Sequence, residues 1–443
     1  MAEAKSTSKS KGRSTAKSTA GTVRPVAILG GNRIPFARSN TAYSKLSNQD
    51  MLTAAIRGLV DRYKLDGERL GEVAAGAVIK HSRDFNLTRE TVLGCGLAAE
   101  TPAYDVQQAC GTGLEAAILV ANKIALGQVD SGIAGGTDTT SDAPIGLSEG
   151  LRELLLDLNR AKTNGERLKI AARFRPKHLI PLTPENSEPR TGMSMGEHQQ
   201  ITAHEWKIGR EEQDKLALES HQKLAAAYDE GFFKDLMTPL AGLEKDNILR
   251  PDSKLEKLST LKPVFDKQKG TMTAANSTAL TDGASSVLLA SEDWAKARKL
   301  PVRAYLTYTE VGAVDFVDKK EGLLMAPAYA VPRLLEKAGL TLQDFDFYEI
   351  HEAFASQVLC TLKAWEDPTF CKEKLGLSKP LGSIDRKKLN VKGSSLAAGH
   401  PFAATGARIL ATAAKILEEK GSGRALISIC AAGGQGVTAI VER

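Results

Sequence analysis

The sequence predicts an α/β fold in which a largely parallel sheet is covered by helices on both faces and the whole unit is duplicated. Three observations carry that expectation. Short apolar runs ending in glycine alternate with helix-like stretches. One strand–turn–helix–strand unit occurs twice, and a charged, proline-punctuated stretch separates the two copies.

Along the chain, residues 1–23 are rich in Ser, Thr and Lys and read as a disordered basic tail. Residues 23–31 form a short apolar run closing on glycines, a buried strand. Asn48 and Asp50 offer caps for a helix to about Tyr63, with Met51, Leu52, Ala55, Ile56, Leu59 and Val60 as its apolar positions. Residues 72–79 read as the next strand. In the first copy, a strand over 103–107 leads to Cys110-Gly111-Thr112-Gly113, a small-residue helix to about Leu126, and a strand over 131–136. In the second, a strand over 388–392 leads to Gly399-His400-Pro401, a small-residue helix to about Leu417, a strand over 425–430, and Gly433-Gly434. Alanine-rich helices let backbones approach, which suits burial between layers. The duplication therefore predicts Cys110 and His400 at equivalent helix ends facing one cleft. The stretch 142–272, helical over 210–228 and carrying Pro181, Pro184, Pro189 and Pro251, reads as an insertion that supplies a lid or subunit contacts. Residues 286–290 return to strand, and the second half starts near Pro301.

Charge and composition exclude several classes. The 443 residues hold 59 Lys plus Arg against 53 Asp plus Glu, a net +6. Residues 1–24 contain six bases and one acid, so the remainder carries +1, which argues against a nucleic-acid-binding face. Five Cys in so long a chain make no disulfide framework and fit a reducing compartment. No uncharged apolar run reaches the ~18 residues of a membrane span, so an integral membrane protein is not expected. The tail lacks the large apolar residues of an amphipathic presequence, which favours a cytoplasmic over a mitochondrial location.

Four residues stand at glycine-rich or helix-start turns. Cys110 lies where unpaired N–H groups and a helix dipole would lower a thiol pKa. His400, before a helix, could take a thiol proton. Cys430 ends a strand before Ala431-Ala432-Gly433-Gly434-Gln435-Gly436, and His351-Glu352-Ala353-Phe354 follows another strand. Taken singly, each is better read as a packed thiol or a satisfied histidine. Four together point to nucleophilic catalysis. Gly111-Thr112-Gly113-Leu114-Glu115-Ala116 also fits the dinucleotide pattern G-x-G-x-x-A, but Asp130 precedes the following strand instead of ending it. No H-E-x-x-H or paired C-x-x-C occurs, so no metal site is expected. Cys95, Cys360 and Cys371 read as structural.

The chain resembles the thiolase family over residues 24–442. The resemblance rests on Gln108-Ala109-Cys110-Gly111-Thr112-Gly113-Leu114, His351-Glu352-Ala353-Phe354-Ala355, Gly399-His400-Pro401 with Thr405-Gly406-Ala407-Arg408, and Cys430 with Gly433-Gly434-Gln435-Gly436. Within the insertion, Met195-Gly196-Glu197, Ser220-His221, Arg250-Pro251 and Lys262-Pro263-Val264-Phe265 fall in family order. It implies the thiolase fold: two duplicated βαβαβαββ halves forming a layered α/β/α/β/α core with an inserted helical loop domain. The N-terminal half would be 24–141 with 273–300, the loop domain 142–272, and the C-terminal half 301–443.

By the same resemblance, Cys110 would be the acylated nucleophile, His400 its base, and Cys430 the acid/base at the α-carbon of acetyl-CoA. The N–H groups of Cys110 and Ala432 would form one oxyanion hole, and His400 with His351 the other. Met195, Thr278 and Phe354 would contact the acyl group or CoA. Coenzyme A is implied as co-substrate, with no permanently bound cofactor. Most members carry Asn where this chain has His351. The His resembles the β-subunit type of trifunctional fatty-acid oxidation complexes, which implies acyl groups longer than acetoacetyl in β-oxidation. A homodimer or homotetramer is implied, and a hydratase/dehydrogenase α subunit is a candidate partner. Three readings compete: an acetoacetyl-CoA-forming biosynthetic thiolase, a decarboxylating ketosynthase, and a thiolase-like lipid-binding module without activity.

Overall fold

The computed structural model describes residues 23–443, so all of the expected basic tail but Val23 lies outside the described residues. The strands are β1 (Val26–Arg33), β2 (Ala37–Arg38), β3 (Glu72–Ala75), β4 (Ala103–Asp105), β5 (Ser131–Asp138), β6 (Thr281–Ser291), β7 (Ala304–Ala313), β8 (Phe347–Ile350), β9 (Arg424–Ala431) and β10 (Gln435–Glu442). The helices are α1 (Asn48–Tyr63), α2 (Leu87–Gly94), α3 (Thr112–Ala125), α4 (Glu149–Arg160), α5 (Asn164–Ala171), α6 (Met195–Glu205), α7 (Arg210–Asp229), α8 (Leu255–Ser259), α9 (Glu292–Ala297), α10 (Ala326–Ala338), α11 (Ala355–Glu366), α12 (Pro368–Glu373), α13 (Ser395–Ala398) and α14 (Thr405–Lys420).

The strands join in the order β4-β3-β5-β6-β1-β7-β10-β9-β8, with β2 paired to β6. Read outward from the β1–β7 seam, the two halves repeat one plan, β1-β6-β5-β3 against β7-β10-β9-β8. The expected parallel sheet needs correction. Only β3–β4, β3–β5 and β8–β9 are parallel, and the other pairs are antiparallel. A short turn explains part of this: Gly433 and Gly434, both at positive φ, fold β9 back on β10, and a hairpin can only join antiparallel strands. The strand expected over 388–392 is also absent. A single parallel bridge from Tyr348 to Leu389 stands where β4 stands against β3 in the other half.

Alternation along the strands builds the layers. Ala27 and Leu29 point into a core with α1 and α2, whereas Val26 and Ile28 point into one with α3 and α14. In the second half, Leu426 and Ile440 pack with α10 and α11, while Ala425, Ile427, Ala439 and Val441 share the α3–α14 core. The order is therefore helix, sheet, helix, sheet, helix. At the centre the two backbones touch: a Cβ on Gly406 would lie 2.1 Å from the Leu114 amide nitrogen, and one on Gly113 2.6 Å from the Ala403 carbonyl oxygen. Helix α1 is capped by Ser47 with Asp50 closing the box, one residue earlier than expected. The stretch 142–272 holds α4 to α8 and is anchored to β1 by the buried Arg33–Asp246 ion pair at 2.6 Å.

Candidate active site

Cys110 sits in the turn between β4 and α3. Ala109 just before it has a φ of 46°, a conformation an L residue adopts only when its surroundings impose it. Thr112 does so: its hydroxyl accepts from Gln108 N at 2.8 Å and donates to the Ala109 carbonyl at 2.7 Å. Gln108 Nε2 donates to Gln435 Oε1 at 2.9 Å, tying this turn to the opposite half. The result presents the Cys110 sulfur 3.0 Å from His400 Nε2, across 290 positions of sequence.

His400 is fixed at three points. Its N–H donates to Thr281 Oγ1 at 2.8 Å, its Nδ1 lies 2.6 Å from Thr405 Oγ1, and its ring meets Phe402 edge-on. With Nδ1–H donated to Thr405, the Nε2 lone pair faces the thiol. Burial lowers the imidazole pKa to about 3, with Arg408 adding to the effect. The expected lowering of the Cys110 pKa does not occur. Burial pushes that thiol up to about 12, and the N–H groups of Ala432 and Cys110 oppose this without overcoming it. Asp138 and Glu188 push the same way as burial. Both shifts run in the direction that favours the neutral forms, a thiol against an imidazole.

His351 lies against His400, with ring centroids 4.2 Å apart and the rings tilted by 50°. Its N–H donates to the Ser428 carbonyl at 2.9 Å, and Asn390 brackets Ile350 from both sides at 2.9 Å. Nδ1 lies 2.8 Å from Ser395 Oγ, while Nε2 is buried and has no protein partner. Burial, His400 and Arg408 hold this imidazole pKa well below its usual value. Glu352 next to it accepts from Ser220, Asn390 and the Leu396 amide, so it secures the loop to α7 and α13.

Cys430, at the end of β9, is buried in an apolar cluster with Ala353, Phe354, Leu323, Leu324 and Met272, against which Met195, Phe265 and Phe316 pack. Burial first, then Cys110, raises its pKa well above normal. Thr278 donates its hydroxyl to the Ala353 carbonyl at 3.0 Å, at the edge of this cluster. The following turn is held by Glu188 from the insertion, which accepts the Gly433 N–H at 2.6 Å.

The structure thus brings together Cys110, His400, His351 and Cys430, with Met195, Phe354 and Thr278 at the apolar side. Sequence reading missed Glu188, Ser395 and Asp138. Asp138 accepts from Val78, Ile79 and Ala403 N–H groups and so ties the loop after β3 to the turn that leads into α14. No spacing rule marks any of the three. Other candidates separate: Asp130 stands before β5 and pairs with Arg24 at 2.7 Å, and the acid that does end β5, Asp138, is fully buried with its carboxylate taken by the Val78, Ile79 and Ala403 N–H groups, so neither is placed to hold a ribose. Among the described residues, one group of three metal-capable donors occurs, Cys110, His351 and His400, with ligand atoms within 4.8 Å of one another. A groove of about 740 Å³ between residues 23–26, the end of α3 and β7 has no Cys or His in its lining.

A duplicated five-layer fold, with a thiol–imidazole pair formed across its two halves and a second buried thiol beside it, defines a cysteine-nucleophile enzyme of acyl-transfer type. Family models for the thiolase N-terminal and C-terminal domains match residues 26–293 and 301–443, and the chain belongs to the thiolase family. A 3-ketoacyl-CoA thiolase of Yersinia pestis is 41% identical over 423 residues, covering 94% of this chain and 96% of that one. Human mitochondrial 3-ketoacyl-CoA thiolase in complex with CoA superposes with a TM-score of 0.78 at 29% identity, over 95% of this chain and 98% of that one. Bacillus anthracis acetyl-CoA acetyltransferase gives 0.79 at 28%, over 95% and 99%. No helix among the described residues is long and apolar enough to cross a membrane.

Proposed function

We propose that this chain acts as a 3-ketoacyl-CoA thiolase that cleaves its substrate with CoA to acyl-CoA and acetyl-CoA. The reading rests on one observation, the 3.0 Å contact of Cys110 Sγ with His400 Nε2 beside the buried thiol of Cys430. The Cys110 proton passes to His400 Nε2 as Sγ bonds to the 3-keto carbon. The C2–C3 bond then breaks, and the acetyl-CoA enolate takes its proton from Cys430. Incoming CoA gives its thiol proton to the Cys430 thiolate and attacks the Cys110 thioester. Acyl-CoA leaves, and Cys110 recovers its proton from His400. Each carbonyl step gathers negative charge on oxygen, for which the N–H groups of Cys110 and Ala432, and the rings of His400 and His351, are the donors.

Met195 and Phe354 would line the acyl group and Thr278 would meet the pantetheine arm. CoA is the co-substrate. The halves would run over 24–141 with 273–300 and over 301–443, and the loop domain over 142–272. A cytoplasmic homo-oligomer working in β-oxidation, with or without an α subunit, completes the reading. Cys430 beside Cys110 favours it over a decarboxylating ketosynthase, and the intact Cys110–His400 contact favours it over an inactive lipid-binding module. Thiolysis measured over a ladder of 3-ketoacyl-CoA lengths tests it: turnover rises above the acetoacetyl length and is lost in Cys430→Ala. Undiminished thiolysis in that variant would contradict it.

A further inference from the structure

We infer that Ser395, itself held by Arg408, fixes His351 as its Nε2–H tautomer. This rests on the reading of His351 as an oxyanion donor and assigns the device that makes it one. Arg408 Nη2 donates to Ser395 Oγ at 2.9 Å, and Ser395 Oγ lies 2.8 Å from His351 Nδ1. A guanidinium only donates, so Ser395 must accept from it. A hydroxyl has one proton, and the remaining partner of this one is His351 Nδ1. With that nitrogen accepting, the ring proton sits on Nε2, the buried atom with no protein partner. The reverse arrangement aims both the Nδ1–H and the guanidinium N–H at one oxygen and strands the serine proton in a buried site, which leaves a hydrogen bond unmade where no water replaces it. It would also turn a lone pair, not a proton, toward the substrate oxygen.

His400 shows the contrast. Its hydroxyl partner, Thr405, receives no guanidinium donor, so no neighbour dictates its proton, and Nε2 can serve as the base when Thr405 accepts Nδ1–H. Ser395 and Arg408 are therefore positioning residues. They touch neither thiol, and they act through which nitrogen of His351 carries the proton.

Nitrogen-15 spectra of histidine-labelled protein test this directly, with His351→Asn assigning the signals by their loss. The expected native pattern is His351 Nδ1 unprotonated and Nε2 protonated, shifting toward a mixture in Ser395→Ala and retained in Ser395→Thr. Kinetically, Ser395→Ala should lower kcat about tenfold or more with little change in KM. In a His351→Asn background the same substitution should cost almost nothing, because an amide has no tautomer to set. A protonated Nδ1 in the native protein, an unchanged pattern in Ser395→Ala, or an equal kcat loss in both backgrounds would overturn the inference. Full activity of His351→Ala would instead overturn the reading of His351 as donor, and the spectra would still report the tautomer.

Discussion

Cys110 and His400 are both shifted toward their neutral forms, and that has a thermodynamic signature. His400 is held near a pKa of about 3 in the fold and would return to its ordinary value near 6.5 when unfolded. As pH falls through that window the unfolded chain gains a proton that the folded chain does not, so this residue removes stability in acid. Asp138, raised to about 7, and Glu349, raised to about 8, have the opposite sign, because their folded forms keep protons that the unfolded forms lose. The His400 component is therefore read as a difference. His400→Ala should lose less stability than the native protein between pH 6.5 and 4 in urea titrations, and parallel profiles would contradict the assignment. Both residues could be found by reading the sequence, because each stands beside glycine at a helix start. The direction of the Cys110 shift could not, since it depends on burial by the opposite half of the fold.

The crossing of α3 and α14 sets the distance between that thiol and its base. Each helix has a glycine as its second residue at the contact, Gly113 and Gly406, and neither leaves space for a methyl group. Gly406→Ala should separate the helices, cost about 1–3 kcal/mol in denaturant midpoint, and lower kcat more than KM. Native stability together with native kcat would contradict this account of the crossing. The small-residue pattern announced the two helices and their burial. The sheet was less legible, because Gly433-Gly434 turns β9 into a hairpin and local periodicity carries no strand direction. The link of Ser395 and Arg408 to His351 was hidden for a related reason: nothing at positions 395 or 408 in the sequence refers to position 351.

Taken whole, the molecule assembles one site from segments hundreds of residues apart. The seam between β1 and β7 fixes the two half-sheets, the central helix layer carries Cys110 and His400 toward each other, and the β9–β10 turn adds Cys430 and the Ala432 N–H. The insertion contributes Glu188 at that turn and Met195 at the apolar wall. Each half supplies part of the chemistry and neither supplies a nucleophile with its base. The most direct test is intact-protein mass measurement after incubation with an acyl-CoA. The expected result is a single acyl adduct on Cys110, formed more slowly in Cys430→Ala and absent in Cys110→Ala. An adduct on another residue, or none in the native protein, would contradict it.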